Sequence, residues 1–289
     1  MPKLKAKKPQ LRNLFSKEEC LKRLATEPFK RVTLSFYRYV RIEKPTELRD
    51  QLFKEWTQLG VLGRIYLARE GINAQLNVPE PQFEAFNKNL DSHPEFAGMY
   101  LNIGLEQAES FYKLTLKVKE QIVADGLPEG AFDTSNVGTH LDAEEFNAAL
   151  DQENTVVVDM RNFYESKIGR FDKALCPDSN TFKEELPMVL DALKGKEDKK
   201  IVMYCTGGIR CEKASAYFKH KGFENVYQLE GGIIEYTRQV KAEGLESKFI
   251  GKNFVFDHRL GERITDDIVS QCHQCGEPCD VHTNCVNEG

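Results

Sequence analysis

The segment Ile201-Val202-Met203-Tyr204-Cys205-Thr206-Gly207-Gly208-Ile209-Arg210 constrains the fold of this chain more than any other. Its short, uninterrupted apolar run is that of a strand covered on both faces, as inside a parallel sheet. The strand ends at a cysteine, and two adjacent glycines let the following backbone turn its N–H groups inward as a cradle for an anion. A helix expected from about Arg210 aims the positive end of its dipole at the same point. A cysteine held there beside a cation is stabilised as thiolate, which makes Cys205 the candidate nucleophile and Arg210 its catalytic partner. Thr206, Gly207, Gly208 and Ile209 form the active-site loop between them. If Cys205 were only a small buried residue at a strand end, the glycine pair and Arg210 would have no reason to be there.

Two enzyme classes use such a loop. Cysteine-based phosphatases need room for a phosphate and place five residues between cysteine and arginine. Here four residues intervene, the tighter ring that holds a persulfide in rhodanese sulfurtransferases.

Either side of this loop the pattern is helix alternating with purely apolar strands. Val156-Val157-Val158 is another short unbroken run, as expected for a buried parallel strand, and helices fit 142–150, 181–193 and 210–221, giving an α/β rhodanese domain over 139–245 with a central parallel sheet. The N-terminal half reads differently. Residues 1–29 are a basic extension with a short helix capped by Ser16 and Glu19. A strand at 31–40, a helix at 45–59, a hairpin of 62–68 and 72–78, a helix at 81–90 and a strand at 111–118 follow. That order is ferredoxin-like (α+β) and occupies residues 30–120. Gly126, Pro128, Gly130 and Gly138 mark 121–138 as a linker, and 246–289 is a Cys-rich C-terminal segment.

The string from Cys205 to Lys213, with Leu229-Glu230-Gly231-Gly232-Ile233, Val158-Asp159-Met160-Arg161-Asn162-Phe163-Tyr164-Glu165 and Phe254-Val255-Phe256-Asp257-His258-Arg259, closely resembles the bacterial tRNA uridine hydroxylases, the TrhO (YceA) family. The resemblance runs from about residue 30 to the C-terminal cysteines; Met160 between Asp159 and Arg161 is a mild departure. It implies an acylphosphatase-like domain ahead of a rhodanese domain. It also implies oxygen-dependent 5-hydroxylation of the tRNA wobble uridine, with molecular oxygen as co-substrate and Cys205 as the required cysteine. The rival enzyme reading is a persulfide-forming sulfurtransferase with tRNA or a carrier protein as acceptor. A silent rhodanese module used as a binding platform is the third, and an intact anion cradle argues against it.

Supporting residues leave alternatives open. Asp159 and Arg161 end the first rhodanese strand, either as site residues or as a structural ion pair. Arg210 binds a substrate phosphate or holds the loop to Glu165. Cys211 is a resolving thiol for an oxidised Cys205 or a buried first-turn position. Gly231-Gly232 reads as a structural turn.

Of the 8 cysteines, Cys272, Cys275, Cys279 and Cys285 crowd the C-terminus. With His282 they suit a structural zinc, unliganded thiols or oxidised pairs. No Gly-x-Gly-x-x-Gly nucleotide-cofactor fingerprint and no set of iron ligands with recognisable spacing is present.

The net charge of −5 hides a basic start: residues 1–60 hold 15 Lys and Arg against 7 Asp and Glu, a net +8. Such asymmetry suits a polyanionic partner, here tRNA, and equally a solvated surface. Arg31, Arg38, Arg41 and Arg64, with Tyr37 and Tyr39, are the expected contacts. No apolar run is long enough to cross a bilayer and no apolar stretch follows the basic N-terminus, so a cytoplasmic protein without membrane contact is expected.

Overall fold

The computed structural model describes residues 11–105 and 110–282. Its contacts divide the chain into two compact units. The first runs to Leu101 and takes in the segment that ends at Ile122; the second comprises the short segment from Asn102 and everything from Val123 onward. The basic residues of 1–10 and Cys285 lie outside the described residues.

In the first unit, helix α1 (Lys17–Ala25) carries the expected capping box, in which Ser16 Oγ accepts from the Glu19 N–H and the Ser16 N–H donates to the Glu19 carboxylate. Strand β1 (Arg31–Tyr39) leads into α2 (Pro45–Gln58), which starts on Pro45, where a missing N–H costs nothing. Strands β2 (Leu62–Ala68) and β3 (Gly71–Pro79) form the hairpin, and α3 (Phe83–Ser92) follows a single 3-10 turn. Strand β3 lies between β1 and β2, antiparallel to both. Phe36, Trp56 and Phe86 meet at ring-centroid distances of 5.6 to 6.4 Å, so the sheet and both helices share one aromatic core.

One reading of this half needs correction. The last strand is shorter than the alternation suggests, because only Leu114–Val118 pairs. It lies parallel to β2 at the edge of the sheet, where Leu114 and Leu116 are buried. The two-residue strand β4 (Asn102–Ile103) precedes it in the chain, and Leu114–Val118 is therefore β5.

The second unit is built on four parallel strands, β6 (Thr139–Leu141), β7 (Thr155–Asp159), β9 (Lys200–Tyr204) and β10 (Val226–Leu229), in the order β6-β10-β9-β7. Helices α4 (Ala143–Leu150) and α8 (Gly232–Glu243) cover one face, and α6 (Phe182–Ala192) and α7 (Ile209–His220) the other. Both faces being covered, Ile201, Val202, Met203 and Tyr204 are all fully buried, as the unbroken apolar run requires. Asp142 and Thr181, read as first helical residues, are instead the N-caps of their helices.

Two features of this unit have no counterpart in the sequence reading. A short helix α5 (Phe163–Ser166) and a separate antiparallel sheet of β8 (Gly169–Phe171), β11 (Phe249–Asn253) and β12 (Glu262–Arg263) bring the C-terminal segment back beside the loop after β9. The stretch assigned to the linker is also anchored. Asp125 is buried in an ion pair with Lys213 at 2.8 Å, and Lys213 donates to the Val123 carbonyl at 3.2 Å.

Candidate active site

Strand β9 stops at Tyr204, and Gly208 caps α7 with φ 98°, a left-handed conformation that a side chain would strain. The four-residue turn is thereby wrapped around the sulfur of Cys205, which receives the Gly208 N–H at 3.2 Å. The Arg210 and Cys211 backbone N–H groups and the Cys211 thiol also donate to it. Burial opposes the charged form, and these donors together with the Arg210 charge outweigh it, bringing the Cys205 thiol down to about 6. Cys211 moves the opposite way, pushed up by burial and by the thiolate it donates to. It is thus a proton-bearing donor held against Cys205, both of them fully buried.

Alkylation of Cys205 by iodoacetamide, corrected with Cys205→Ser, should therefore reach half its plateau rate near pH 6, rising with pH as the thiolate forms. Cys211→Ala should move that midpoint up by about one unit, since a hydrogen bond to a charged group is worth about 1.5 kcal/mol or more. A wild-type midpoint at the ordinary thiol value would sink this account of the loop.

Arg210 makes a two-point pair with Glu165, at 2.6 Å to Oε1 and 2.9 Å to Oε2. Thr206 Oγ donates to the same carboxylate at 3.2 Å, and the guanidinium lies 5.8 Å from the Phe256 ring centre. Of the two sequence readings of Arg210, this contact is the one that ties the loop to Glu165. Glu165 is oriented in turn by the Asn162 N–H at 3.0 Å, the reciprocal half of a capping box on α5.

Asp159 and Arg161 form a second two-point pair one layer below, Nε to Oδ1 at 2.8 Å and NH2 to Oδ2 at 2.7 Å, both side chains fully buried. The Tyr204 hydroxyl donates to Asp159 at 2.7 Å, and Arg161 reaches the Gly169 carbonyl at 2.6 Å. The pair therefore fastens β7, β9 and β8 together beneath the loop. Gly231-Gly232 does more than turn the chain: the Ile233 and Ile234 N–H groups at the start of α8 donate to the Cys205 and Thr206 carbonyls at 3.0 and 3.2 Å. At Gly232, φ +67°, a Cβ would fall 2.6 Å from the Cys205 carbonyl oxygen, so no side chain fits.

Sequence reasoning passed over Glu185 on α6, which is fully buried although its neighbours Phe182, Leu186 and Val189 make an apolar stripe. A carboxylate at a core-facing helical position was the available signal. It quoted Phe254 only as part of a resemblance and gave it no place in the site; its ring sits 5.3 Å from Tyr164 and 5.3 Å from His282, with its carbonyl 3.5 Å from Thr206 Oγ.

In the tail, residues 270–279 form a small hairpin closed by a Gln271–Pro278 bridge, with the Cys272 N–H donating to the Glu277 carbonyl at 2.8 Å. N–H groups of Cys275 and Gln274 and the Cys275 thiol lower the Cys272 thiol, as in a metal-binding knuckle. No three metal-ligating side chains gather among the described residues.

The N-terminal arginines are largely engaged. Arg31 bonds the Gly60 carbonyl and Asn77, Arg38 bonds the carbonyls of Glu95, Ala97 and Gly98, and Arg41 pairs with Glu43 at 3.0 Å. Arg64 is exposed on β2. No described helix is long and apolar enough to cross a membrane.

Residues 31–122 match the family described as UPF0176 acylphosphatase like domain, 142–239 the Rhodanese-like domain, and 250–289 the Rhodanase C-terminal family. A Leptospira interrogans protein named tRNA uridine(34) hydroxylase is 59% identical over 284 residues, which is 98% of this chain and 77% of that one. A Pectobacterium carotovorum protein of the same name is 56% identical, covering 97% of this chain and 80% of its own. Among solved structures, a rhodanese-related protein from Thermoplasma volcanium aligns with 35% of this chain and 92% of its own, at 22% identity and a TM-score of 0.30.

Proposed function

This chain belongs to the family of the tRNA uridine(34) hydroxylases, and on that premise we propose that it hydroxylates uridine 34 of tRNA at C5, with molecular oxygen as co-substrate and Cys205 as nucleophile. The observation that carries the assignment to Cys205 is a buried sulfur surrounded by donors and lowered to about 6, a thiolate at neutral pH. A thiolate adds to C6 of a uracil ring by forming an S–C6 bond, while the C5–C6 π pair moves toward C5 and O4. C5 thereby becomes carbanion-like and takes up oxygen as a C5 hydroperoxide; an external thiol reductant supplies the two electrons that cleave the O–O bond and release one oxygen as water, and loss of the C5 proton and of the sulfur restores the ring with a hydroxyl on C5. In this scheme Arg210, Glu165 and Thr206 hold the loop that presents the sulfur. Asp159 and Arg161 hold the strands that carry it.

The test is isotopic. Cells with and without the protein are grown under heavy-isotope oxygen gas, and their digested tRNA is analysed at a mass resolution that separates an added oxygen from an oxygen-to-sulfur exchange. The proposal requires the heavy atom in the wobble nucleoside, only when Cys205 is intact. Sulfur in that nucleoside would identify a sulfurtransferase instead.

Zinc in the tail is also a proposal. Cys272 and Cys275 supply half a site with the expected knuckle bonds, and closure would draw on Cys279 and on Cys285, which lies outside the described residues. Protein purified without chelator should carry about one zinc per chain, lost in Cys272→Ser/Cys275→Ser, because a closed tetrahedral site cannot survive on two ligands. Metal-free protein with full activity rejects it.

A further inference from the structure

Among the described residues of the second unit, buried carboxylates are matched by cations with one exception. Asp159 has Arg161, Glu165 has Arg210, Asp125 has Lys213, and Glu262 has Arg259. Glu185 is as deeply buried as any of them, yet neither of its carboxyl oxygens has a hydrogen-bond partner among the described residues. It sits on α6 between Phe182 and Leu186, which pack in one cluster with Met203, Cys205 and Cys211. An isolated buried carboxylate is so costly that the group takes a proton instead.

The charges around it set a limit. Arg210 on α7, Asp159 on β7, Glu165 on α5 and Cys205 itself act on Glu185, and Cys211 on α7 feels it in return. The two arginines are balanced by Asp159 and Glu165, so a Cys205 thiolate is already one uncompensated negative charge. An ionised Glu185 would be a second in the same closed interior.

We propose that Glu185 is a positioning residue that acts through Cys205: it stays a neutral acid while the sulfur is a thiolate and becomes free to ionise once the sulfur is capped. The interior of the site then holds at most one uncompensated negative charge at a time. Burial, first among the causes, and the neighbouring carboxylates and thiolate do push Glu185 well above the usual carboxylate range. Re-forming the thiolate at the end of a turnover would be linked to proton uptake at Glu185. The inference rests on the thiolate reading of Cys205 and not on hydroxylation, and no tRNA enters its test.

The full-length protein is titrated by infrared spectroscopy, with the protonated-carboxyl stretch of Glu185 assigned by its loss in Glu185→Gln, or by its shift in Glu185→Asp should the glutamine variant not fold. The titration is repeated after Cys205 is capped with iodoacetamide, which forms the S–C bond, releases iodide and removes the thiolate charge. The band should be present at pH 7, and its midpoint should fall by about one unit or more on capping, as expected when a close like charge is removed. In parallel, Glu185→Gln should leave the pH midpoint of Cys205 alkylation within about half a unit of wild type, because one neutral group replaces another. A missing band, an identical midpoint in capped and uncapped protein, or a drop of about one unit in the Cys205 midpoint on Glu185→Gln would each overturn the proposal.

Discussion

Cys205→Ser is expected to abolish modification of the wobble uridine, by roughly 10⁴-fold or more, the order of loss when a covalent nucleophile is removed. Serine fits the space of Cys205 and can accept the same N–H groups that now converge on the sulfur. Its hydroxyl stays protonated at pH 7, so neither addition to C6 nor a persulfide is open to it. The variant should melt within a few degrees of wild type, and single-turnover assays on purified tRNA should show no product. Residual activity within tenfold of wild type would remove Cys205 from the reaction under both the hydroxylase and the sulfurtransferase reading.

A comparably large effect on stability is expected at Asp159. In Asp159→Ala the Arg161 guanidinium keeps its buried position and loses both halves of its pair, while the Tyr204 hydroxyl loses its acceptor. Breaking a buried pair from one side costs about 3–5 kcal/mol. For a unit of this size that corresponds to a fall in Tm on the order of 10 °C by thermal denaturation. The double variant Asp159→Ala/Arg161→Met should recover much of the loss, because the uncompensated charge is gone and the methionine stem refills the space. A single variant as stable as wild type, or a double variant no better than the single, would show that the pair does not fasten the three strands.

The parts of this site that were legible in the sequence are those encoded within a few residues of one another. Strand, cysteine, glycines and helix start are contiguous between 201 and 210, and local geometry alone makes them an anion cradle. The same holds for the caps of α1 and the start of α2 at Pro45. What closes the site comes from far along the chain. Glu165 meets Arg210 across 45 residues, a contact the sequence offered only as one of two readings of Arg210, and the Phe254 carbonyl approaches Thr206 across 48 with no local signal. Strands as short as Gly169–Phe171 carry too little periodicity to be seen, and they pair only because β11 returns antiparallel to them. Glu185 was visible as an acid on an apolar helical face, yet its meaning depends on which cations are near it, and that is a tertiary fact.

The complete burial of the Cys205 sulfur has a kinetic corollary. A nucleophile that solvent does not touch can meet a uracil or an alkylating reagent only during excursions in which the covering segments part. Capping by a small reagent should therefore saturate: at low concentration the rate follows the reagent, and at high concentration it levels off at the frequency with which the enclosure opens. The acid–base machinery sets how reactive the sulfur is once reached. The plateau would report how often it is within reach, and so an upper bound on how fast any substrate can be engaged.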